Sequence, residues 1–130
     1  MLDRIDLHVE VPIVDYKQLS STERCEKSST VRERVRQCRQ RQAERFKGTQ
    51  GVRVNSDMGP KLVRHHCELN SESSGMLEQA MEMLNFSARA YDRILKVART
   101  IADLEDSERI ETAHLMEAIQ YRTLDRKLML

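Results

Sequence analysis

The chain has 130 residues, and its 22 lysines and arginines nearly cancel its 21 aspartates and glutamates, leaving a net charge of +1. That balance excludes a general electrostatic pull toward nucleic acid or membrane, and no apolar run approaches the ~20 residues of a membrane span. Charged residues make up 33% and aromatics 4%, with no tryptophan and two prolines, which favours one small helical domain with an aliphatic core over a β-sandwich.

Leu2–Val14 comes first. Leu7, Val9 and Val11 alternate with Asp6, His8 and Glu10, the period-2 pattern of a half-buried strand, which Pro12 ends or confines to an edge. No second strand follows, and an unpaired strand leaves its backbone groups unsatisfied. The expectation is therefore a strand whose sheet lies upstream of this sequence. Tyr16–Lys27 reads as a polar connector. A long helix is expected over Ser29–Phe46, with Thr30 and Glu33 at capping-box spacing and a narrow seam of Val31, Val35, Cys38, Gln42 and Phe46. Gly48–Gly51 breaks it. Asn55–Met58 reads as one turn and Pro60–Leu69 as a short helix with proline in its first turn. Asn70 or Ser71 caps a helix to about Asn85 that turns Leu77, Ala80, Met81 and Leu84 inward. The next helix, about Ser87–Leu104, carries an apolar stripe through Tyr91, Ile94, Leu95, Ala98, Ile101 and Ala102. Glu105–Arg109 is a polar loop, and a last helix over Glu111–Arg122 buries Leu115, Ala118 and Ile119. Thr123–Leu130 reads as a frayed tail. Short connections between the last helices imply antiparallel neighbours.

The most telling residue is Arg89. Ser87 supplies a cap for the helix start, and Arg89 falls in the first turn, where the helix dipole disfavours a cation. An arginine there points to an incoming anion. Ser87-Ala88-Arg89-Ala90 resembles the sensor-2 motif of AAA+ ATPases. Ala98-Arg99-Thr100-Ile101-Ala102-Asp103-Leu104, then His114-Leu115 and Glu117-Ala118-Ile119-Gln120-Tyr121-Arg122, resemble the C-terminal region of magnesium-chelatase-like ATPases, most closely the bacterial ComM/YifB group. Leu2-Asp3-Arg4-Ile5-Asp6-Leu7 is similar to the segment before the last core strand of such proteins.

The resemblance implies specific roles. Arg89 is the sensor that touches the γ-phosphate of ATP, Arg93 is a weaker candidate one turn on, and Arg4 is an arginine finger reaching a neighbouring subunit's nucleotide. Phosphoryl transfer spreads charge over the γ-phosphate oxygens, which a guanidinium fork stabilises. On spacing alone, Arg4 is a surface residue paired with Asp3 or Asp6, and Arg89 one paired with Asp92. There is no G-x-x-x-x-G-K-[S/T] and no acidic strand end for Mg²⁺, so the chain by itself is expected neither to bind ATP tightly nor to hydrolyse it. ATP and Mg²⁺ belong to a core outside this sequence.

Other groups carry less. Arg32, Arg34, Arg36, Arg39, Arg41 and Arg45 crowd one helix. Such a run contacts nucleic-acid phosphates in some proteins, but Glu33 and Glu44 interleave, and a solvated face is the simpler reading. His65, His66 and Cys67 are adjacent, so on a helix they point apart and do not converge on a metal; no metal site is expected. Three cysteines without regular spacing exclude a disulfide framework. With no basic-then-apolar leader, the expected setting is the bacterial cytoplasm. His114 reads as a core-edge or capping residue, and Asp103, Glu105 and Asp106 as a solvated acidic loop.

The expected fold class is all-α: a small helical bundle, the AAA+ lid, preceded by one orphan β-strand of the core. Residues 1–24 form that strand and its connector and 25–130 the lid. The resemblance implies a ring-forming, hexameric ATPase whose partners are its own core and neighbouring subunits, acting on DNA in branch migration, with no membrane. Two alternatives stand beside it: a stand-alone helical interaction module and the ATPase subunit of a metal chelatase.

Overall fold

A computed structural model describes residues 4–22 and 25–123. The regular elements among the described residues are helical, in the order α1 (Tyr16–Leu19), α2 (Ser28–Arg45), a 3-10 turn (Asn55–Asp57), α3 (Pro60–His66), α4 (Ser71–Met83), α5 (Ala88–Leu104) and α6 (Thr112–Gln120). Helix α5 is the centre. It packs on α6, α2, α3 and the 3-10 turn, while α4 lies against α6. The core gathers Phe46, Met58, Val63, Cys67 and Leu77 around Ile94, Leu95, Ala98, Ile101 and Ala102 of α5, closed by Ile110, Leu115 and Ala118.

The helix ends follow local chemistry. Asn70 caps α4 by accepting the Ser73 N–H at 2.7 Å, and Ser87 caps α5 by accepting the Ala90 N–H at 3.2 Å. Pro60 opens α3, where its missing N–H costs nothing. At the C-terminus of α4, Asn85 takes φ 51° and the Phe86 N–H reaches the Met81 carbonyl at 3.2 Å. Asp106 does the same after α5, with φ 57° and the Ser107 N–H on Ala102 at 2.8 Å. Both closures satisfy carbonyls that the helix leaves open.

The strand expected over Leu2–Val14 is not present: residues 4–14 contain no strand, and Leu2 and Asp3 lie outside the described residues. The burial expected of the apolar set is not seen either. Ile5, Leu7, Val9, Val11 and Ile13 are exposed, whereas His8 is buried. A strand needs a neighbouring ladder, and none of the described residues supplies one. The segment is held instead through contacts that include a backbone bond from the His8 N–H to the Tyr121 carbonyl at 2.9 Å. The expected polar connector also holds a short helix, α1, capped by Asp15, which accepts the Gln18 N–H at 3.0 Å.

Helix α2 departs from its expected seam. Cys38, Gln42 and Phe46 are buried, but Val31 and Val35 are exposed, because α2 has no buried residue before Cys38. The capping box is also absent. The helix begins at Ser28 after Lys27 with no side-chain cap, which places Thr30 inside it. Glu33 instead takes the Arg36 guanidinium at 2.8 Å and the Gln37 amide at 3.3 Å. Tyr91, placed on the inner stripe of α5 by its spacing, is 45% exposed.

One buried polar cluster joins α2, the 3-10 turn and α5. Asp103, 1% exposed, accepts from Arg45 at 2.5 and 2.8 Å and from the Asn55 amide at 2.9 Å. Arg99 lies 3.2 Å from it. Burial pushes the Asp103 carboxyl up, but hydrogen bonds from Arg45 and Asn55 together with the charges of Arg45 and Arg99 outweigh it and hold the group below the ordinary aspartate value of 3.8. A depressed folded-state value stabilises the fold above the unfolded value, and that contribution is lost as pH falls through the depressed one. Acid denaturation followed by circular dichroism should therefore show stability falling below about pH 4. Asp103→Asn should flatten that slope; an unchanged slope would remove Asp103 from the account.

Candidate functional site

Arg4, Arg89 and Arg93, drawn from two distant parts of the sequence, line one cavity of about 850 Å³. Helix α5 forms one wall with Arg89, Arg93 and Lys96, and residues 4–7 form another. Four cationic side chains (Arg4, Arg89, Arg93 and Lys96) and three acidic ones (Asp6, Asp92 and Glu117) line it, with Leu7, Val97 and Tyr121 among its apolar residues. Because α5 has no acid in its first turn, its positive end is left to the arginine.

The partner of Asp6 differs from the one that spacing suggests. Asp6 is not the partner of Arg4; its carboxylate accepts from the Arg93 guanidinium. Asp92 lies 3.1 Å from the Lys96 ammonium, which also reaches the Ser56 carbonyl at 3.4 Å. Sequence reading missed Lys96. It falls three residues after Arg93 and seven after Arg89, on the same helical face, so the stripe was visible in the spacing once Arg89 had been singled out. Also missed was Arg122, fully buried, whose guanidinium donates to the Ile5 carbonyl and ties the N-terminal segment to the end of α6.

The arginine run on α2 divides. Arg41 and Arg45 turn inward, to Asp106 at 2.9 Å and Asp103 at 2.5 Å. Arg34 and Arg36 hold Glu26 at 2.7 Å and Glu33 at 2.8 Å. The acidic loop is likewise not simply solvated. Asp103 is interior to α5, and Glu105 reaches His114 Nε2 at 2.6 Å. His114 Nδ1 accepts the Glu111 N–H at 2.9 Å, which makes it a capping residue of α6.

The His65 and His66 rings, expected to point apart, meet edge-on with centroids 4.7 Å apart. His66 packs edge-on against Phe46, and Cys67 is in the core. Among the described residues no three His, Cys, Asp or Glu side chains group as a metal site would. Burial pushes the Cys67 thiol up to about 11 and raises Cys38 as well, while Cys25 is exposed. Thiolate, not thiol, is the nucleophile. Alkylation of the native protein near neutral pH, read by mass spectrometry, should modify Cys25 well before the other two; equal rates would contradict the burial.

The family described as magnesium chelatase, subunit ChlI C-terminal, matches residues 25–122. The chain belongs to this family. It is 42% identical over 128 residues to competence protein ComM of Haemophilus influenzae, covering 98% of this chain and 24% of that protein. It is 41% identical over 129 residues to the YifB protein of Escherichia coli, with the same coverage. A Mycobacterium tuberculosis protein, Rv2897c, is 33% identical over 104 residues, 80% of this chain and 20% of its own length. The chain thus spans about a quarter of the length of the first two relatives. Within this magnesium chelatase C-terminal domain, the matched residues hold all of α2 to α6 and with them Arg89, Arg93 and Lys96; Arg4 lies before the match. No helix among the described residues is long and apolar enough to cross a membrane.

Proposed function

We propose that this region is the nucleotide-facing lid of a ring-forming, AAA+-type ATPase. Arg89 contacts the γ-phosphate as sensor 2, Arg93 is a second and weaker contact, and Arg4 acts as an arginine finger toward a neighbouring subunit. The observation that carries this reading is the convergence of the three arginines on one cleft beside the start of α5. Their chemistry suits a triphosphate, because guanidinium groups are always charged and match phosphate oxygens two at a time. ATP and Mg²⁺ are held by a core that this chain does not contain, and the greater length of the relatives leaves room for one. Hydrolysis changes the angle between lid and core, and that motion is the output.

In this proposal the motor is a cytoplasmic hexamer that works on DNA in branch migration during recombination, a reading supported by the likeness to a competence protein. The family description favours a second reading, the ATPase subunit of a metal chelatase. Stimulation of the longer ATPase by branched DNA supports the first; stimulation only by a porphyrin-binding partner supports the second. The division of labour between lid and core has its own test. Isothermal titration of this 130-residue chain with ATP should give no saturable heat in the micromolar range, and tight binding would contradict it.

A further inference from the structure

Arg89, Arg93 and Lys96 form one stripe on α5, about 10 Å long at 1.5 Å per residue, and all three line the cleft. The middle of that stripe already holds an anion. The Asp6 carboxylate, delivered by the N-terminal segment, is ion-paired with Arg93. The pair is open to solvent, with 52% of the Asp6 side chain and 33% of the Arg93 side chain exposed. Exposed pairs of this kind are weak, whereas a phosphate offers a guanidinium more charge and more acceptor oxygens. Asp92 is a different case. It sits on the same helix as its partner Lys96, four residues earlier, so it travels with the stripe.

Resting on the reading that this cleft faces a nucleotide triphosphate, we infer that Asp6 is an internal stand-in for phosphate. It holds Arg93 when no triphosphate is bound. A triphosphate lying along the stripe displaces it and loosens the N-terminal segment from α5. Ligand binding on α5 and docking of the N-terminal segment are then two competing occupancies of one arginine, each opposing the other by the same free energy.

The test titrates the wild-type chain, Asp6→Asn and Arg93→Gln with inorganic tripolyphosphate at low ionic strength, following arginine and backbone N–H signals by NMR. Asp6→Asn should bind roughly two- to fivefold more tightly than wild type, the scale of one exposed ion pair, and Arg93→Gln more weakly. Asp6 is half-exposed, so its replacement leaves the core intact, and a damaged fold would weaken binding rather than strengthen it. Equal affinity of wild type and Asp6→Asn overturns the competition and leaves the nucleotide-facing reading standing. Absence of binding to all three chains at millimolar ligand overturns the competition, and the nucleotide-facing reading is tested separately by the effect of Arg89→Ala on hydrolysis.

Discussion

Replacing Asp103 by alanine is expected to cost about 3–5 kcal/mol of stability, the range for removing one partner of a buried ion pair. The carboxylate is 1% exposed and lies between Arg45 and Arg99, with the Asn55 amide on one of its oxygens. Without it, the Arg45 guanidinium keeps only the Asn55 side-chain oxygen at 3.0 Å among these contacts. Arg99 is better protected, because it also donates to the Ser107 and Glu108 carbonyls at 2.7 and 3.0 Å. The uncompensated charge is therefore mainly that of Arg45. This leads to a sharper expectation: Arg45→Met with Asp103→Leu should be less destabilised than Asp103→Ala alone, since both charges leave together. Thermal unfolding decides it. A fall on the order of 10–20 °C for Asp103→Ala, partly recovered in the double variant, agrees with the account; a fall of a few degrees contradicts it.

The second large effect is catalytic. In the longer protein proposed above to be an ATPase, Arg89→Ala is expected to lower the rate of hydrolysis by on the order of 10²-fold, about 2–4 kcal/mol of transition-state stabilisation. Arg4→Ala should do the same through the neighbouring subunit. Both residues are exposed, so neither change should alter stability beyond about 0.5 kcal/mol. Lost activity with an unchanged melting temperature separates chemistry from folding. If the rates are unchanged, both arginines return to the surface, and an interaction module with no nucleotide role becomes the better account.

Local signals in the sequence carried most of the helical layout. Ser87 and Asn70 cap the helices they were expected to cap, Pro60 begins α3, and Leu115 and Ala118 are buried where their spacing puts them. These features depend on neighbours within about a turn, which is the range over which sequence pattern is informative. Features set by distant partners were not legible. Val31 and Val35 continue the helical period of Cys38, yet the first half of α2 lies outside the core, and periodicity alone does not tell where packing stops. Asp103 looked like part of a solvated acidic loop because its partner Arg45 is 58 residues away, in a run of arginines with nothing to distinguish it. The N-terminal alternation implied a ladder that these residues do not supply.

The same division holds for the site. Arg89 was legible because a cation at the positive end of a helix goes against the local electrostatics and calls for an anion. Arg4 and Arg93 came from resemblance and from helical spacing. Their convergence on one cleft with Lys96, and the seat of Asp6 on Arg93, needed the fold, because α6 and Arg122 bring residues 4–8 back beside α5.

The most direct measurement is a structure of the longer protein with a non-hydrolysable ATP analogue and Mg²⁺. The account predicts the Arg89 guanidinium within about 3 Å of a γ-phosphate oxygen, with the cleft beside α5 closed over the triphosphate. A nucleotide bound elsewhere, with Arg89 facing solvent, would contradict it.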